Sequence, residues 1–357
     1  MTHSNFRLLV VRLGAMGDIL HALPAVTALR LAHPEWVIDW VVEPRWAALL
    51  AATDETGSSN SRGPSHPLVD RLHPAPTREW RKAPLSRKTL HEILALHSAL
   101  RAGAYDAVLD LQGAVRSAVI ARLSGCTRRI GEAEPRERIA RQLFTERVET
   151  RGAHVIEQDL ELASAVAGDD LNPVQPWLPV NPVAEAWADE LFSPANTQAI
   201  VLINPGAGWG AKRWPVERYA AVALGLVQRG LRVLVNAGPG EELLAAAIVQ
   251  ESGGAATPLT CSLGQLISLT RRVALVIAGD TGPLHLACAL GRPVVGIYGP
   301  TDPSRNGPFG ARCKVLRSPQ SRRDHTRHAA PEAGLLTITP EDVLHAAGEL
   351  LAPETAS

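Results

Sequence analysis

The chain has 357 residues, 46% of them hydrophobic and 20% charged, and its 36 Lys and Arg balance 36 Asp and Glu to a formal net charge of zero. That length carries two domains of ordinary size and that balance suits a soluble globular protein, while the neutral charge gives no global argument for nucleic acid. The four cysteines are scattered without a CxxC pair, which excludes a disulfide framework or a cysteine metal site and suits a reducing compartment.

The first predicted strand is FRLLVVRL, 6–13, too short for a signal peptide, and no window reaches the roughly 20 apolar residues that span a bilayer. A tight turn of small residues, Gly14-Ala15-Met16-Gly17-Asp18, leads into an amphipathic helix over 19–31, and WVIDWVVE, 36–43, is the second strand. This βαβ unit starts a right-handed parallel sheet. The turn is not the G-x-G-x-x-G of a dinucleotide site. Asp18 has two readings: a cap or first-turn charge at a helix N-terminus, or a general base at the carboxyl edge of a parallel sheet. Spacing alone favours the cap.

Residues 53–66 are polar and rich in Gly, Ser and Asn, a loop signature. A basic segment over 71–88 follows, with Arg78, Arg81 and Lys82 around Trp80. It reads equally as a solvated face or as a patch for a polyanion or an anionic membrane surface. Helices are expected over 89–101 and 116–123, with a strand over 107–111 between them, so Gln112 and Arg116 fall at the sheet's carboxyl edge. The charged stretch 129–148 reads as helical or looped surface, and 154–167 as a helix. Four prolines over 168–182 mark the domain boundary.

The second half repeats the pattern. After a helix over 184–191 and a strand over 199–204 comes Pro205-Gly206-Ala207-Gly208-Trp209-Gly210, then Lys212 and Arg213, then a helix over 216–229. Strand, glycine loop, basic residue and helix make a phosphate-binding layout, though not a Walker A sequence; a plain surface role for Lys212 is the alternative. A strand over 231–236 leads through Ala237-Gly238-Pro239-Gly240 to Glu241, which can cap its helix or accept hydrogen bonds from a ribose diol. In 273–303, a buried strand ends at Asp280-Thr281-Gly282, Pro283 opens a helix with His285 in its first turn, and 294–298 is the next strand. Outward-facing N–H groups there suit a phosphate, but a capped βα turn that binds nothing fits as well. Thr339-Pro340 starts a last amphipathic helix, 341–351.

Phosphate-binding parts in one half, with a lone carboxylate and a basic patch in the other, describe transfer from a nucleotide-activated donor to an anionic acceptor. At this point the chain resembles glycosyltransferase family 9, the lipopolysaccharide heptosyltransferases. The pieces that carry the resemblance are RLGAMGDILHALPAV (12–26), DWVVE (39–43), YDAVLDLQGAVRSA (105–118), NPGAGWGAKRWP (204–215), AGPGEE (237–242) and GDTGPLHLACALGRPVVGIYGPTDP (279–303). DWVVE and REWRK (78–82) are more similar to heptosyltransferase I than to heptosyltransferase II. The resemblance implies an α/β fold of the GT-B type: two Rossmann-like domains (1–175 for the acceptor, 183–335 for the nucleotide sugar) facing across a cleft, and a C-terminal helix, 339–352, returning to the first. It implies inverting transfer of L-glycero-D-manno-heptose from ADP-heptose to Kdo of Kdo-lipid A, on the cytoplasmic face of the inner membrane and without a cofactor or metal motif. It makes Asp18 the base, reversing the preference for a cap. Lys212, with the N–H groups of Thr281 and Gly282, would stabilise the leaving ADP, helped by Asp280 and His285, and Glu241 would bind ribose. Arg78, Arg81, Lys82, Gln112 and Arg116 would face the acceptor. The family's serine pair before M-G-D is Gly14-Ala15 here. The alternatives are heptosyltransferase II, a sugar-nucleotide epimerase on the same fold, or a non-catalytic nucleotide-sugar binder.

Overall fold

The computed structural model describes residues 6–52, 62–192, 197–310, 312–322 and 328–352, so most of the expected polar loop, 53–61, lies outside the described residues. The chain divides into two units between Asn181 and Pro182.

The first unit runs β1 (Arg7–Val11), α1 (Met16–Ala32), β2 (Val37–Val42), β3 (Arg71–Pro74), α2 (Thr77–Lys82), α3 (Arg87–Ala102), β4 (Ala107–Asp110), α4 (Val115–Leu123), β5 (Arg129–Glu132), β6 (Glu146–Val148) and α5 (Val155–Ala167). All neighbouring strands pair in parallel, in the order β3-β2-β1-β4-β5-β6. The central strands RLLVV and AVLD are short apolar runs because helices cover both faces of a parallel sheet. Strand order reverses between β1 and β4, and at such a switch point the loops leaving the carboxyl ends part and open a crevice.

The second unit runs α6 (Pro182–Leu191), β7 (Ile200–Asn204), α7 (Val216–Gln228), β8 (Arg232–Ala237), α8 (Glu242–Glu251), β9 (Thr257–Thr260), α9 (Leu263–Thr270), β10 (Leu275–Gly279), α10 (Gly282–Ala289), β11 (Val294–Tyr298), α11 (Pro303–Asn306), β12 (Cys313–Arg317) and α12 (Pro340–Leu351). Its sheet, β12-β11-β10-β7-β8-β9, is also parallel and repeats the first topology, with its switch point between β7 and β10.

Two expectations need correction. The stretch 129–148, read as helical or looped surface, supplies β5 and β6. These strands are four and three residues long, β6 forms the sheet's edge, and charges surround them, as in Arg128, just before β5, paired with Glu146 of β6 at 2.9 Å, so no apolar run announces them. The last helix was expected to return to the first domain. Instead α12 buries Val343, Ala346, Ala347 and Leu350 in the core of the second unit, beside Val222 and Leu226 of α7. Its i, i+3, i+4, i+7 stripe is used up there.

Candidate functional site

In the first unit the carboxyl ends of β1 and β4 are joined by side chains. Gln112 accepts the Leu13 N–H at 3.1 Å, and Asp110 Oδ1 accepts the N–H groups of Gln112 and Gly113 and the Ser117 hydroxyl. The carbonyl of Gln112, expected to face the acceptor, is therefore engaged within the turn. Asp18 stands in the first turn of α1. Its Oδ2 accepts the Ala15 N–H at 2.8 Å, so it is a cap. Its Oδ1 lies 3.6 Å from the Arg12 guanidinium, and 40% of the side chain stays exposed. One oxygen holds the turn while the other keeps access to solvent, so the capping role does not preclude acting as a base.

Arg12 was not singled out from the sequence. It is buried, donates to the Asp18 carbonyl at 3.2 Å, and its charge also reaches two buried acids, Asp110 and Asp159. Burial pushes the Asp159 carboxyl up to about 7; Arg12 opposes this, and Asp18 and Glu132 add to it. Burial pushes Asp110 up to about 6 against its three hydrogen bonds and Arg12. Asp110 Oδ2 and Asp159 Oδ2 have no hydrogen-bond partner among the described residues.

The basic residues flank this edge. Glu43, one residue past β2, accepts the Thr77 hydroxyl at 2.5 Å and the Arg78 N–H at 3.2 Å, which fixes the start of α2. Arg78, Arg81, Lys82 and Arg116 are exposed, and none has an acidic partner among the described residues. Arg45 lies 4.3 Å over the Trp46 ring, and burial, then the Arg78 charge, holds its guanidinium below the usual range. A second acid–base cluster lies elsewhere. Asp39, His73 and Tyr105 are buried and mutually hydrogen-bonded, with the Tyr105 hydroxyl 2.6 Å from Asp39 and 2.8 Å from His73. Tyr105 precedes β4, so this cluster sits away from the carboxyl edge and ties the sheet's helix-covered face together.

In the second unit the switch point gathers the expected donor residues. Asp280 follows β10, Thr281 is the N-cap of α10, and the Gly282 N–H has no partner inside the helix. Lys212, in the turn after β7, pairs its Nζ with Asp280 Oδ2 and packs 4.3 Å over the Trp209 ring. His285 Nε2 is 3.3 Å from Asp280 Oδ1. Burial acts to raise the Asp280 carboxyl but is outweighed by the His285 hydrogen bond and the Lys212 charge, so it is held well below the usual range. Glu241 makes no side-chain cap to its own helix. Its carboxylate turns back to accept the Gly238 N–H at 3.2 Å and lies where a Cβ on Gly206 would stand. Only a bare Cα lets that carboxylate sit between the two glycine loops. Further polar groups gather here that the sequence did not single out. Asn236 donates to Asn204 at 2.8 Å, and Asn204 Nδ2, Tyr298 OH and Thr301 Oγ1 are buried without a hydrogen-bond partner. The usable signal was position: each stands at the carboxyl end of a predicted strand or just past it.

The two units thus carry opposite chemistry at equivalent places: an accessible carboxylate with basic residues around it, and a clamped lysine beside a helix N-terminus. Residues 93–335 match the model of "Glycosyltransferase family 9 (heptosyltransferase)". The chain is similar to lipopolysaccharide heptosyltransferase 1 of Escherichia coli K12, 31% identical over 319 residues, 88% of this chain and 94% of that one. It is 26% identical over 371 residues to lipopolysaccharide heptosyltransferase 2 of the same strain, covering 98% of this chain and 100% of that one. Among solved structures, E. coli heptosyltransferase WaaC with ADP-2-deoxy-2-fluoro heptose superposes with a TM-score of 0.76 at 28% identity, over 96% of this chain and 99% of that one.

Proposed function

This chain belongs to glycosyltransferase family 9, and from that membership we propose that it is the lipopolysaccharide heptosyltransferase that moves L-glycero-D-manno-heptose from ADP-heptose to Kdo of Kdo-lipid A. The observation that carries the reading is that each unit keeps a distinct group at its own switch point, a partly exposed Asp18 in the first and the Lys212–Asp280–His285 cluster in the second. The higher identity to the type 1 enzyme than to the type 2 enzyme supports the acceptor.

The reaction is a single displacement. Asp18 takes the proton of the attacking acceptor hydroxyl, the acceptor oxygen bonds the anomeric carbon, and the bond from that carbon to the phosphate oxygen breaks. ADP leaves with the electron pair. Asp280 and the Trp209 ring hold Lys212 in place, and its ammonium has donors left for the diphosphate, which the Gly282 N–H also meets. Glu241 accepts from the ribose hydroxyls. Arg78, Arg81, Lys82 and Arg116 meet the carboxylates and phosphates of the acceptor. The acceptor is a lipid, so the enzyme works against the cytoplasmic face of the inner membrane. No helix among the described residues is long and apolar enough to cross a membrane.

The test is ADP release from ADP-heptose. Release that requires Kdo-lipid A supports the proposal. Release only with an already heptosylated core moves the protein to the type 2 reaction. Donor binding without release on any acceptor favours a non-catalytic nucleotide-sugar protein, and absence of donor binding overturns the reading.

A further inference from the structure

The corner between α2 and α3 carries apolar side chains that the fold does not use. Leu85 is 86% exposed at the tip of a tight turn, Leu94 is 65% exposed and Leu90 is 47% exposed. Leu90 and Leu94 stand one helical turn apart on α3, on a different face from the one that buries Leu96 and Leu100 in the core. The corner is built rather than loose. Glu43 holds the start of α2, the Trp80 indole donates to Glu92 at 2.8 Å and so ties α2 to α3, and Ser86 both closes the turn onto Ala83 and caps α3. An ordered turn that presents a leucine to water has no folding reason to do so.

The charge around these leucines is predominantly basic; the exposed acid among it, Glu79 on α2, is paired with Lys88 at 3.6 Å. Every exposed charged residue from Arg81 to Ala104 is basic: Arg81, Lys82, Arg87, Lys88 and Arg101. Glu92, the one acid in this stretch, is partly buried beneath Trp80 and Lys88. Apolar side chains at the crest of a basic rim match a surface of anionic headgroups over acyl chains. Leu243 offers an internal contrast. It is 88% exposed on α8 of the second unit, but its neighbours are Glu241 and Glu242.

We propose that the α2–α3 corner docks on an anionic phospholipid bilayer, with Leu85, Leu90 and Leu94 entering the headgroup–acyl boundary and Arg87 meeting lipid phosphates. The proposal rests on the reading of the acceptor as lipid-borne, and it assigns membrane contact to one element. Contact at this corner brings Arg78, Arg81 and Lys82, on the adjoining α2, to the headgroup level.

The test is flotation of the full chain with phosphatidylcholine vesicles, with and without phosphatidylglycerol and free of any glycolipid acceptor. Binding that needs phosphatidylglycerol, weakens with added salt, and falls about tenfold or more in Leu85→Ser/Leu94→Ser supports the proposal. Arg87→Gln weakens binding and flattens its salt dependence. Leu243→Ser binds like the wild type. Equal binding to both vesicle types, wild-type binding by the double variant, or an equal loss in Leu243→Ser overturns it. Thermal melts of the exposed-site variants confirm that they are folded. Transfer to a deacylated, water-soluble acceptor separates the two readings. Vesicle binding without transfer on any acceptor leaves the docking surface standing and removes the proposed function. Transfer without vesicle binding does the reverse.

Discussion

After β1 the chain turns through Gly14 and Ala15 into α1 and sets Asp18 in the first helical turn; after β10 it turns through Asp280 and Thr281 into α10. Both aspartates stand at a switch point of the same topology. Asp18 caps with one oxygen and leaves the other beside Arg12 at 3.6 Å, with two-fifths of the side chain exposed. Asp280 is nearly buried, with Lys212 on one oxygen and His285 on the other. What an aspartate does at such an edge is therefore set by what the neighbouring loops bring to it. Where the second partner is a single arginine at 3.6 Å, the carboxylate stays partly open to solvent, as the proposed base requires. Where they bring a lysine and a histidine, it becomes a fixed anion that aims a cation.

The sharpest way to break this comparison is Asp18→Asn. Asparagine still accepts the Ala15 N–H, so stability should stay within about 0.5 kcal/mol of the wild type. Turnover should fall by roughly 10²–10⁴-fold, with binding of ADP-heptose unchanged. A variant that keeps its turnover returns Asp18 to capping alone. Asp280→Asn should act differently. Removing the charge leaves Lys212 without its counter-ion in a nearly buried place, so the melting point should drop by an amount worth about 1–3 kcal/mol, and donor KM should rise together with a fall in kcat of about tenfold to a hundredfold. Calorimetry and steady-state kinetics on the same preparation check both halves.

A smaller effect separates the units by pH. Asp159 is raised to about 7 and Asp110 to about 6 in the folded first unit. Between about pH 4 and pH 7 the unfolded chain has released these protons while the folded chain still holds them, so stability falls as pH rises through that window. Asp280, held low, acts with the opposite sign: its contribution is present above the ordinary aspartate value near 4 and is lost only as pH falls through its folded value. Asp159→Asn should therefore stabilise the protein by about 1–4 kcal/mol at pH 8 and change little at pH 4. Denaturant midpoints at the two pH values, compared with the wild type, measure this directly.

Much of this was legible in the sequence because parallel strands announce themselves as apolar runs and their loops as glycine, proline and acid clusters. Apolar runs followed by such clusters place the turns at Asp18, Gly206, Glu241 and Asp280 at strand ends. The edge strands β3, β6, β9 and β12 were not legible, because RLHP, ERV, TPLT and CKVLR are half exposed and carry no apolar pattern, nor was β5, RIGE, beside the edge. The site's supporting residues were hidden for a different reason. Arg12 closes the first predicted strand, and Asp159 sits inside an ordinary amphipathic helix; only the packing of α5 against α1 and β4 brings their charges to one place. Likewise, no spacing rule links Glu43 to Thr77, 34 residues on. Residue type and strand position pick out the groups proposed to meet ligand, whereas the groups that hold them are known only once the sheets are closed.

The turn before Asp18 carries one more lesson, in its mutational accessibility. Gly14 has φ +152°, and a Cβ there would stand 2.7 Å from the Trp46 indole nitrogen. A serine at 14 is thus blocked twice, by backbone conformation and by the tryptophan. Shrinking Trp46 first would open a void beside the turn and remove the face on which Arg45 lies. Neither position can change alone without loss, so glycine and tryptophan form an epistatic pair, and a larger residue at 14 requires a change at 46 as well.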